Sequence, residues 1–142
     1  MKVNEVMTRN VETVTPDQPV SEAAGFMLSA DTGSIPVLDN DKLVGMITDR
    51  DIAVRGVANG RGPDTAVREL MTSDIVSVRD SDDVSAAAAR MSEAQVRRVP
   101  VVDDDDRLCG IVSLGDLSRE TDGSSATVAL EGVSKPGGQH QQ

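Results

Sequence analysis

The chain has no tryptophan and no tyrosine, and Phe26 is its single phenylalanine. A core must therefore be assembled from Val, Ile, Leu, Ala and Met, and any pocket for a planar base has aliphatic walls. Cys109 is the only cysteine, so no internal disulfide can form, in keeping with a reducing compartment. The one histidine, His140, lies in a polar C-terminal stretch. With no tyrosine, no cluster of metal ligands and no Gly-rich phosphate loop, the usual acid–base and P-loop chemistries lack their side chains. These absences point away from an enzyme, a catalytic metal or a required cofactor. Met1 to Val6 holds no apolar signal core, and no run nears the roughly 18 apolar residues of a membrane span, so the expected location is the cytoplasm, with no membrane partner. Basic charge is also scarce: a net charge of −10 and scattered Lys and Arg residues disfavour nucleic acid as a partner.

What is present is a duplication. Val6-Met7-Thr8 recurs as Leu70-Met71-Thr72, and at the same offset Val20, Ala23, Ala24 and Met27 align with Val84, Ala87, Ala88 and Met91. Ile35-Pro36-Val37 aligns with Val99-Pro100-Val101. One added residue in the turn Asp103 to Arg107, facing Asp39 to Lys42, then brings Leu43, Gly45, Thr48 and Asp51 against Leu108, Gly110, Ser113 and Asp116. An insertion in an exposed turn costs little, so the slip is compatible with duplication.

Each copy reads as strand, helix, strand, strand, helix, an α+β fold. The first helix carries apolar residues at i, i+3, i+4 and i+7, with Pro19 near its start in copy one and Ser81, Asp82 and Asp83 in copy two. The hairpin strands are expected at Ser34 to Leu38 and Leu43 to Ile47, then at Val99 to Val102 and Leu108 to Val112. Gly56 to Pro63 reads as the loop separating the copies. The division is residues 1–60, residues 61–121 and a flexible tail at 122–142, in which Val128 to Leu130 is the one apolar stretch able to dock. Met27 and Met91 belong to the core stripe, and Cys109 sits on a buried strand as an inert packing residue.

The chemistry concentrates in Gly45-Met46-Ile47-Thr48-Asp49-Arg50-Asp51 and its counterpart Gly110-Ile111-Val112-Ser113-Leu114-Gly115-Asp116. In both, a strand runs into a helix through Thr or Ser with Asp three residues later. Two readings stand. One is a capping box with Asp replacing Glu. The other is a ligand site, in which a helix start favours phosphate and the carboxylate accepts ribose hydroxyls. Pro36 and Pro100 suit an edge strand, a strand start or a ligand wall. Asp103 to Asp106 reads as a solvated acidic turn rather than a cation site.

At these residues the sequence resembles the cystathionine-β-synthase (CBS) domain family, over Val3 to about Glu120 in both copies. The resemblance implies two CBS motifs packed as one pseudo-two-fold module that binds an adenine nucleotide (AMP, ADP or ATP) between the copies as a regulatory ligand. It implies that Asp51 and Asp116 take the ribose hydroxyls, and that Thr48 and Ser113 contact phosphate or nearby backbone. Met46 and Ile111 line the adenine, while Thr13, Val14, Ser77 and Val78 offer backbone contacts. Ile35 and Pro36, with Val99 and Pro100, complete the expected walls. Arg97 and Arg98 match basic residues that reach phosphates in relatives. Their counterparts in copy one are Gly33 and Ser34, so the clefts are expected to be unequal, the favoured one using Asp51 with Arg97 and Arg98; Arg50 either compensates or is simply exposed. A homodimer and a regulated partner protein are also implied. The alternative is a ligand-free interaction module acting on a partner enzyme through dimerisation.

Overall fold

A computed structural model describes residues 1–120, with backbone only for 118–120. The tail expected at 122–142, including Val128 to Leu130 and His140, lies outside the described residues. The chain divides into two compact units that do not follow the order of the repeat: Glu12–Ile75 forms one, while Met1–Val11 joins the described residues from Val76 to Glu120 in the other.

In the Glu12–Ile75 unit, α1 (Val20–Ala30) starts after Pro19, the N-cap, and stops at Asp31, whose left-handed backbone (φ 51°) sends its N–H to the Met27 carbonyl. β1 (Ser34–Asp39) and β2 (Lys42–Thr48) form an antiparallel hairpin. Its turn residues Asn40 and Asp41 both take positive φ (52° and 66°), the backbone of a type I′ turn. The expected first strand shrinks to one parallel bridge between Val14 and Val37. Pro36 offers its carbonyl to the Val14 amide at 3.1 Å. Its missing N–H points the same way, at the place where the parallel pairing begins, so proline costs the sheet nothing there.

The expected second helix is a π-helix, Asp51–Gly56, followed by a 3-10 turn, Val57–Asn59. The anticipated loop therefore begins later than Gly56. After it, α2 (Val67–Leu70) returns the chain to the core, where Val67 and Leu70 pack with Val20, Ala23, Met27, Ile35, Val37 and Ile47.

The other unit repeats this plan. β3 (Val78–Arg79) runs parallel to β4 (Arg98–Val102), which pairs antiparallel with β5 (Leu108–Ser113). α3 (Val84–Ala94) begins after Asp83 and ends at the left-handed Gln95 (φ 57°), and α4 (Leu114–Glu120) follows β5 directly. Both hairpins carry a register shift at the same place, Val37/Leu38 and Val101/Val102. Val3 and Val6 enter this unit's core beside Met91, Val99, Val112 and Leu117.

Two further expectations change. Ala24, aligned with the buried Ala88, is exposed, so the apolar stripe of α1 is narrower than that of α3. Cys109 is half-buried rather than buried. Burial, then the nearby carboxylates of Asp80 and Asp103, push its thiol above the usual range, partly offset by Arg9.

Candidate functional site

The hairpin register decides which side chains share a face. Ser34 lies opposite Thr48 and Pro36 opposite Met46. Because alternate residues of a strand point to opposite faces, these four form one face, while Ile35, Val37 and Ile47 turn into the core with α1. All four are buried. In the other unit the same geometry groups Arg98, Pro100, Ile111 and Ser113. Ile35 and Val99 do not join these faces: their side chains pack in the two cores. The side chains of Val14 and Val78 are likewise in the cores.

At the end of β2, Thr48 and Asp51 bond reciprocally. The Thr48 amide donates to Asp51 Oδ2 at 3.0 Å, and the Asp51 amide donates to Thr48 Oγ1 at 3.0 Å. Ser113 and Asp116 repeat the pair at 2.9 and 3.2 Å. The capping box is thus realised in both copies, and it occupies one carboxylate oxygen of Asp51. The second, Oδ1, accepts from the Thr72 hydroxyl at 3.5 Å and lies 3.8 Å from Arg55 Nε. Arg55 also donates to the Met71 carbonyl at 3.2 Å. Asp51 is buried, but Arg55 is more than half exposed, so solvent screens their 3.8 Å ion pair.

Thr72 and Arg55 were not singled out by the motif. Thr72 reaches Asp51 because the Met71-Thr72 segment pairs with β2: Met46 and Thr72 exchange both backbone bonds, at 2.9 and 2.8 Å. Thr8 pairs in the same way with Ile111, at 2.8 and 2.9 Å. The repeated Met-Thr pair was the available signal, but its strand partner is remote in sequence. Arg55 was legible only as a basic residue one helical turn beyond Asp51.

The remaining candidates separate by charge and exposure. Arg97 is exposed, and its carbonyl accepts from the Leu114 amide at 3.0 Å, just as the Gly33 carbonyl accepts from Asp49 at 2.9 Å. The same backbone address therefore carries two cations in one unit and none in the other. Arg50 is exposed. Thr13 and Ser77 are half-buried, and the Ser77 carbonyl accepts from Arg90 Nη2 at 2.9 Å. A depression of about 510 Å³ beside Ser77 and Val78 is bordered by Arg79, Asp82, Arg90 and Glu93. In the Glu12–Ile75 unit, an apolar depression of about 330 Å³ lies between α1 and the π-helix, bordered by Val20, Ala24, Ile52 and Val57.

In the acidic turn, Asp103 Oδ1 accepts from the amides of Asp105 and Arg107 at 2.8 and 3.0 Å. These bonds, that from Arg107 foremost, hold its carboxyl below the usual range. Among the described residues, no three His, Cys, Asp or Glu side chains converge as a metal site.

A repeated hairpin on a helix, closed by a Thr/Ser-x-x-Asp pair, defines a tandem CBS protein, and the CBS domain family matches residues 3–56 and 67–123. The chain belongs to that family. It is similar to CBS domain-containing protein YhcV of Bacillus subtilis, 42% identical over 133 residues covering 93% of this chain and 94% of that one. Hypoxic response protein 1 of Mycobacterium tuberculosis is 38% identical, over 81% of each chain. Two solved structures are also similar. CBSX2 in complex with AMP has a TM-score of 0.72 and 31% identity, over 83% of this chain and 93% of that one. The CBS domain pair of MJ0100 in complex with methylthioadenosine and S-adenosylmethionine has a TM-score of 0.73 and 31% identity, over 84% and 98%.

Proposed function

We propose that this chain is a non-catalytic regulatory module that binds an adenine nucleotide (AMP, ADP or ATP) and reports it to a partner protein in the cytoplasm as a homodimer. The observation that carries this reading is the state of Asp51. One of its oxygens is held by the helix cap, while the other accepts from a hydroxyl, that of Thr72. A ribose diol offers hydroxyl donors of the same kind, and a charge-assisted bond of this type contributes roughly 1.5–3 kcal/mol. Met46 and Pro36, buried on the face shared with Thr48, supply the aliphatic wall that a chain without Trp or Tyr must use. The adenosine-derived ligands of CBSX2 and MJ0100 support the same chemical class. Arg97 and Arg98 are assigned to the phosphates.

A second reading, an interaction module that works without ligand, draws on the apolar surface of the Glu12–Ile75 unit, where Leu28 is 86% and Val57 69% exposed. Calorimetric titration with AMP, ADP, ATP and S-adenosylmethionine separates the two. Saturable binding that Asp51→Ala weakens at least tenfold is the expected result. No heat from any of them, with dimerisation lost on Leu28→Glu, overturns the nucleotide reading in favour of the second.

A further inference from the structure

Ser34 is 1% exposed, and its Oγ has no hydrogen-bond partner. A buried hydroxyl left in this state costs roughly 1–3 kcal/mol, and alanine at the same position would avoid the cost. Its surroundings explain what the hydroxyl is for. Ser34 lies directly across the hairpin from Thr48, and the bond from the Asp49 amide to the Gly33 carbonyl marks this as the non-hydrogen-bonded kind of pair, in which side chains stand closest. Thr48 in turn holds the Asp51 amide. The orphaned hydroxyl therefore stands on the site face, one side chain away from the carboxylate assigned to ribose. In the other unit, the same register position opposite Ser113 is Arg98.

We infer that Ser34 Oγ is a ligand contact, an uncharged donor and acceptor that makes the Asp51 half-site read the nucleoside portion of its ligand rather than the phosphates. The inference rests on the nucleotide-binding reading and adds a specificity residue to it. A hydroxyl satisfies a ribose oxygen or a purine ring nitrogen equally well. It adds no charge, so its contribution is the same whether or not phosphate is present. An Arg at that position, as in the other unit, discriminates strongly by phosphate.

The test compares wild type, Ser34→Ala and Asp51→Ala by calorimetric titration with adenosine and with AMP, alongside thermal melts without ligand. The expected result is that Ser34→Ala melts at or above the wild-type temperature, because an unsatisfied hydroxyl has been removed. It also binds adenosine and AMP weaker by the same factor, roughly five- to tenfold. Unchanged affinities for Ser34→Ala, with Asp51→Ala still weakening both ligands, overturn the inference and leave the nucleotide reading standing; the hydroxyl then serves a water. A lower melting temperature with a matching affinity loss makes Ser34 structural and also overturns it. A loss confined to AMP refutes the assignment to the nucleoside. Failure of wild type to bind either ligand removes the nucleotide reading itself.

Discussion

The carbonyl oxygen of Thr72 stands 2.7 Å from the point a Cβ on Gly45 would occupy, and that of Thr8 stands closer still to the same point on Gly110. Glycine is required at both positions because a backbone segment crosses there and cannot yield as a side-chain tip can. Gly45→Ala and Gly110→Ala should each lower stability by about 1–3 kcal/mol in urea titrations, the usual cost of overpacking. Gly25→Ala, in the middle of α1 with nothing within 4 Å of its added methyl, should instead gain about 0.5–1 kcal/mol.

Asp51 closes the helix cap and is proposed to hold the ligand, and two substitutions separate those duties. Asn keeps an oxygen that can accept from the Thr48 amide, so Asp51→Asn should stay closer to wild type than Asp51→Ala, which should lose about 1 kcal/mol. Both should bind AMP at least tenfold weaker, since each removes the charged acceptor. A full-strength Asn variant in calorimetry would show that the carboxylate is a cap alone.

Arg97 and Arg98 carry charge that Gly33 and Ser34 lack. The double variant Arg97→Ala, Arg98→Ala should weaken ATP more than adenosine, and raising salt from 50 to 200 mM should narrow the difference from wild type as screening increases. Equal losses for the two ligands would remove these residues from phosphate recognition.

Cys109 should alkylate slowly at neutral pH, because burial and the Asp80 and Asp103 carboxylates disfavour its thiolate. Its iodoacetamide rate in native protein should keep rising beyond the pH at which an unfolded thiol has levelled off. The sign for stability follows: a thiol pKa raised by folding favours the folded state below the unfolded value, and that contribution declines as pH climbs through the folded one.

Glu69 titrates below the ordinary carboxylate range, chiefly through its hydrogen bond and charge contact with Arg61 at 2.6 Å. The pair's contribution is present above the unfolded carboxylate pKa and lost as pH falls through the lowered folded value. Arg61→Ala should raise the Glu69 pKa toward its ordinary value in an NMR titration. Global stability at neutral pH should barely move, because both side chains are well exposed.

Much of the local architecture was legible because it rests on short-range patterns. The hairpin strands fall within one or two residues of the positions expected from Pro-Val and Gly-x-x-Thr/Ser spacing, and α1 starts at the proline that marks its entry. The reciprocal Thr48–Asp51 bonds were legible for the same reason, being only three residues apart. The Thr72–Asp51 contact was not, since it requires knowing which strand the Met-Thr segment pairs with. Ala24 and Ala88 are the same residue in aligned helices, yet one is exposed and one buried, a difference set by what each helix packs against. Ser34 appeared only as a missing charge; its unpaired hydroxyl becomes visible once the register places it beside Thr48.

The allocation of Met1–Val11 to the unit that begins again at Val76 bears on how the protein is made. Translation at about 5–20 residues per second exposes Thr8 for several seconds before β5, its pairing strand, has been synthesised. Glu12–Ile75, contiguous in the chain, can close around its core during that interval. The opening segment waits, and cutting the gene between the two copies would leave each product without the Met-Thr segment that its own hairpin pairs with.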